Sequence, residues 1–129
     1  CLPLCIISAS SILLERKVFD ELGGFDESFE VCEDYEFWLR LASKYPIGYL
    51  DEKLIIKRGG HPDQLSKKHW GMDRFRIKAL EKLLKSDLSA ENRGLVELEL
   101  KKKSAIFARG ALKRTSKSST GPTWSSVRT

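Results

Sequence analysis

The sequence contains no apolar run close to the roughly 20 residues that a bilayer-spanning helix requires, which argues against a transmembrane helix. It also lacks a starting Met and a basic leader. The opening CLPLCIISAS is apolar, yet it makes a poor signal peptide and reads instead as the interior of a longer protein. Cysteine is sparse. Cys1, Cys5 and Cys32 are odd in number, and neither their spacing nor any nearby His forms a zinc pattern. The expectation is reduced, partly buried thiols in a cytosolic protein. There is no internal repeat.

Acidic residues are missing from one end. From Lys101 onward there are eight Lys/Arg and no Asp/Glu, so the first hundred residues carry fifteen basic against eighteen acidic side chains, a net of −3. The overall charge of +5 is therefore a property of the tail. Nucleic-acid binding by the whole domain loses its main support, with no aromatic interleaving or base-reading motif to replace it. What remains is an ordinary soluble composition, 41% apolar and 32% charged over 129 residues, enough for one domain with a real core.

The β-branched run in LCIISASSILLER predicts a buried strand. KVFDELGG predicts a short helix with Val18, Phe19 and Leu22 on one face, stopped by Gly23 and Gly24. FDESFEVC has no period and reads as a loop. Tyr35, Trp38, Leu39 and Ala42 then fall at i, i+3, i+4 and i+7, the stripe of an amphipathic helix closed by Pro46. IGYLDEKLIIKR predicts two short strands about a turn at Asp51 and Glu52, and GGHPDQ a loop. A helix capped by Ser66 is expected to run to about Lys85, and another from about Glu91 to Leu112. The final TSKSSTGPTWSSVRT has the composition of a disordered tail.

Glu33 and Asp34 stand at the head of the Tyr35 helix. Acidic residues gather there because the first-turn N–H groups and the helix dipole favour negative charge, so a structural role competes with a catalytic one. Gly23 and Gly24 similarly suit any helix that ends in a left-handed turn, and Phe25 suits a core plug. Trp38 and Trp70 could stack on a ligand, but their helical spacing favours packing.

The order GGFDE followed shortly by EDYEFWLRL, flanked by an apolar strand and helices, resembles the C-terminal half of a family 2 glycosyltransferase domain from about Ile6 to Leu84. That resemblance implies an α/β fold, the C-terminal part of a GT-A (Rossmann-like) domain over residues 1–85, with a helical basic extension at 86–114 and a tail at 115–129. It implies an inverting enzyme that moves a sugar from a nucleotide diphospho-sugar to an alcohol acceptor, which could be a glycan or lipid-linked. In the family pattern Asp34 matches the catalytic base and Glu33 its neighbour. Asp26, Glu27 and Arg58 are the substrate-binding candidates, and His61 is a candidate ligand for Mg²⁺ or Mn²⁺. The Asp-x-Asp metal motif is absent from this sequence. So is the Gln-x-x-Arg-Trp signature of processive members, which favours transfer of single sugars. A noncatalytic partner-binding module without a nucleotide site is the alternative. The basic extension could lie on anionic lipid, giving a cytoplasmic protein peripheral to the inner face of the membrane, or could only maintain solubility. Self-association through an uncovered sheet edge is a further expectation.

Overall fold

A computed structural model describes residues 1–56, 58 and 71–118, with side chains to Arg114. Its elements, in chain order, are a single 3-10 turn at Ala9–Ser11 and four helices: α1 (Arg16–Glu21), α2 (Glu33–Lys44), α3 (Asp73–Leu84) and α4 (Ala90–Ser118).

Helix α1 ends as its sequence requires. The Gly23 and Gly24 N–H groups donate to the Asp20 and Phe19 carbonyls at 3.0 Å each, the paired bonds of a Schellman cap. Both glycines are left-handed, at φ 77° and 68°, where a Cβ would be strained. Helix α4 is capped differently: the Ser89 hydroxyl accepts from the Asn92 N–H at 3.1 Å, satisfying one of the donors that a helix start leaves open.

Helix α2 is the centre of the packing because both of its sides are apolar. Tyr35 and Leu39 point into one cluster with Phe29, Ala79, Leu80, Leu83 and Val96. Phe37, Trp38 and Leu41 point into another that Ile12, Val18, Phe19 and Leu22 cover. Phe25 sits against Phe37 at 5.1 Å and edge-on to Trp38 at 6.3 Å between ring centroids, distances at which aromatic pairs attract. Of the α2 stripe read from the sequence, Tyr35 and Leu39 pack into one cluster and Trp38 into the other, while Ala42 is exposed. Trp70 lies outside the described residues.

The α/β expectation is overturned: among the described residues there is no strand and no sheet, and every regular element is helical. The reason lies in where the backbone groups find partners. A strand is held by a ladder with a second strand, whereas the Leu2 carbonyl accepts from the Tyr35 hydroxyl at 2.6 Å and the Pro3 carbonyl from the Lys103 ammonium at 2.9 Å. Side chains from α2 and α4 thus anchor the residues just before the expected strand, while Leu4 and Ile6 within it are 60% and 71% exposed. Leu54, Ile55 and Ile56 lie largely exposed, with a local bond from the Leu54 N–H to the Glu52 carbonyl, so no apolar layer covers them. Without a sheet, the expected uncovered sheet edge has no counterpart among these residues. Helix α4 is no loose appendage here, since Val96 shares a core with Tyr35. No helix among the described residues is long and apolar enough to cross a membrane.

Candidate active site

The two acidic motifs are joined by one buried ionic network. Glu36, only 2% exposed, accepts from Arg40 through both oxygens, Oε1 from Nε at 2.7 Å and Oε2 from Nη2 at 2.8 Å. Arg40 is also held by the Leu22 and Gly24 carbonyls, the exposed end of the α1 cap. From α3, Lys82 reaches Glu36 Oε1 at 2.8 Å and Asp26 Oδ2 at 2.7 Å. Asp26 Oδ1 accepts the Ser28 N–H at 2.9 Å. The glycine turn, the acidic loop and the α2 helix are therefore tied at one point. The Lys82 ammonium and the Ser28 donors hold the Asp26 carboxyl well below the usual carboxylate range. Burial works against the Lys82 charge, but its bonds to Asp26 and Glu36 outweigh that and raise its affinity for the proton.

Asp34 stands in a different environment. It is half-buried at the first turn of α2. Its Oδ1 accepts the Tyr35 N–H at 2.6 Å and its Oδ2 accepts the Cys5 thiol at 3.5 Å. Among the described residues no Lys, Arg or His nitrogen lies within ion-pair distance of it. The Cys5 thiol is pushed up to about 12, by burial first and by the Asp34 charge second, so at neutral pH it is a donor and adds no second negative charge. Burial likewise raises the Cys32 thiol. Cys32 precedes α2 at φ 64°, the one non-glycine residue with positive φ among those described. That kink turns the chain so that Glu33 and Asp34 enter the helix with no side-chain cap ahead of them.

Of the remaining candidates, Glu33 is half-exposed beside Asp34, Glu27 and Arg58 are exposed, and His61 lies outside the described residues. The structure brings Glu33 and Asp34 together and ties Asp26 to the back of the same helix. Among the described residues no three His, Cys, Asp or Glu side chains converge as a metal site, so no metal-binding role is assigned to any of them. Concavities among the described residues include these two. One of about 420 Å³ is lined by Ser28, Glu30, Arg74, Phe75 and Lys78, and one of about 180 Å³ is lined by residues including Leu2, Leu39, Leu83 and Val96. Asp34 lines neither. Cys5 and the Glu36–Arg40–Lys82 network were not singled out from the sequence. The i, i+4 spacing of Glu36 and Arg40 was a usable signal for part of the network. Nothing in the sequence marked Lys82 or Cys5 as partners.

Residues 4–58, which contain both acidic motifs, match the family described as Glycosyltransferase like family 2. These residues are similar to a segment of a family 2 glycosyltransferase. An uncharacterized glycosyltransferase of Rickettsia felis is 38% identical over 69 residues, which is 52% of this chain and 11% of that protein. One of Rickettsia conorii is also 38% identical over 69 residues, with the same coverage. An O-antigen biosynthesis protein, RfbC, of Myxococcus xanthus is 46% identical over 39 residues, 30% of this chain and 3% of that protein. The chain thus spans about a tenth of the length of the Rickettsia relatives. No solved structure matches it.

Proposed function

We propose that this segment supplies the acceptor-activating side of a glycosyltransferase, with Asp34 as the general base. The observation that carries the reading is a contrast within the two motifs. Asp26 and Glu36 are neutralised by Lys82 and Arg40, while Asp34 is oriented by two uncharged donors with no cation opposite it among the described residues. A carboxylate in an ion pair is a poor base. One held by neutral donors keeps lone pairs and proton affinity for a substrate hydroxyl.

In the proposed step an acceptor alcohol gives its proton to the Asp34 carboxylate as its oxygen attacks the anomeric carbon of a nucleotide diphospho-sugar. The bond from that carbon to the diphosphate oxygen breaks, and the nucleoside diphosphate leaves with the electron pair. A single displacement of this kind inverts the anomeric centre. Glu33 is the neighbour of Asp34 in this proposal and stands half-exposed beside it. Asp26 is placed to support the loop rather than to bond sugar hydroxyls, while Glu27 and Arg58, both exposed, remain substrate-facing candidates within this proposal. Mg²⁺ or Mn²⁺ on the donor diphosphate belongs to the same proposal, with His61, outside the described residues, as its candidate ligand. The acceptor is a glycan or another alcohol.

The test is Asp34→Asn in the complete polypeptide that carries these residues. Transfer is expected to fall by at least about a hundredfold, the low end of what a positioned base contributes. Donor binding, measured by calorimetry, is expected to stay nearly unchanged. Near-normal turnover in the variant would reject Asp34 as the base.

A further inference from the structure

The proposal above leaves the thiol on Asp34 without a role. Cys5 lies 29 positions from Asp34 in the chain, and its S–H donates to Oδ2 at 3.5 Å. It is fixed there from several directions. Cys5 packs against both core clusters, and the backbone just before it is held by the Tyr35 and Lys103 bonds to the Leu2 and Pro3 carbonyls. The Tyr35 N–H occupies the other oxygen. The plane of the carboxylate is therefore set by one donor on each oxygen, and each oxygen keeps a further lone pair. The charges that act on Cys5, Cys32 and the Tyr35 phenol are those of Asp34 and Glu33 at the start of α2, Asp73 and Arg76 from α3, and Glu99 from α4. Arg76 is the one cation among these groups; its Nη1 bonds Asp73 at 3.2 Å, and its Nε is buried without a hydrogen-bond partner among the described residues.

Building on the assignment of Asp34 as base, we propose that Cys5 is a positioning residue whose thiol orients the carboxylate. The chemistry favours a thiol in this place. An S–H is a weak donor, and a strong donor on the charged form of a carboxylate lowers its affinity for protons. A hydroxyl at the same position would orient Asp34 as well but make it a weaker base. An apolar side chain would leave it basic but free to turn.

Cys5→Ser and Cys5→Ala separate this role from packing, because they are expected to move the acidic limb of the pH profile of kcat/KM in opposite directions. With Ser, the stronger donor should shift that limb to lower pH and reduce kcat several-fold. With Ala, the lost donor should shift the limb to higher pH, with kcat reduced and KM unchanged. A side chain that only fills space would lower stability without opposite shifts, so a limb unmoved in both variants overturns the inference. Should Cys5→Ala fail to fold, the shift in Cys5→Ser alone decides. Asp34→Asn run in parallel distinguishes the two levels. If it is inactive while both Cys5 variants keep the wild-type limb, only the role of Cys5 fails. If it turns over normally, the base assignment fails and the inference with it.

Discussion

Replacing Arg40 by Met should be the most damaging single change in the network joining the two acidic motifs. The substitution keeps much of the side chain's length and apolar bulk while removing every bond the guanidinium makes. Those are the two bonds to Glu36 and those to the Leu22 and Gly24 carbonyls. Glu36 stays 2% exposed and keeps only Lys82, whose side chain is 41% exposed and so partly screened by solvent. Removing one partner of a buried ion pair costs about 3–5 kcal/mol. The Arg40 side chain is itself 19% exposed and Lys82 offers partial compensation, so the lower end, about 3 kcal/mol, is expected. For a chain of this length that corresponds to a fall in Tm of roughly 10 °C. Urea unfolding followed by circular dichroism measures it, with an unchanged slope showing that stability rather than compactness has altered. The double variant Arg40→Met with Glu36→Leu should recover much of the loss, because a buried pair replaced by apolar groups is often nearly neutral. A loss below about 1 kcal/mol for Arg40→Met, the scale of an exposed pair, would refute the view that this ion pair holds the glycine turn to α2.

Other substitutions probe the turns and the charges. Gly24→Ala should cost more than Gly23→Ala in a thermal melt. Both sites have positive φ, but a Cβ on Gly24 would meet the Phe19 ring at 3.2 Å whereas one on Gly23 would meet nothing within 4 Å. Cys32→Ala should be less stable than Cys32→Gly by about 1 kcal/mol, since each loses the thiol and only Ala retains the left-handed strain. The Asp26 carboxyl is held below its ordinary range, so its contribution is present above about pH 4 and is lost as pH falls toward the depressed value. Melts taken from pH 6 downward should show that loss, and Asp26→Asn should flatten it.

The sequence made α2 legible because a helix advertises itself locally: four apolar residues at helical spacing, an acidic first turn and a following proline. The α1 stop was legible for the same reason, since two glycines in succession suit a Schellman cap. The strand at LCIIS was misread because an apolar β-branched run signals burial only if something covers it, and here Leu4 and Ile6 are 60% and 71% exposed. Asp34 could be singled out by its motif, but what distinguishes it from Asp26 and Glu36 could not. That distinction depends on Lys82, which lies 56 residues from Asp26, and on Cys5, 29 residues from Asp34. No local pattern encodes such pairings.

The bond from Lys103 to the Pro3 carbonyl spans 100 positions of the chain. A ribosome adding roughly 5–20 residues per second needs on the order of 5–20 seconds between making one end of that contact and the other. Until then the segment that brings Cys5 to Asp34 has no anchor from α4, and chaperones or proteases meet it loose. A nascent chain halted before α4 would hold every acidic residue of both motifs and still lack the clasp that closes over them.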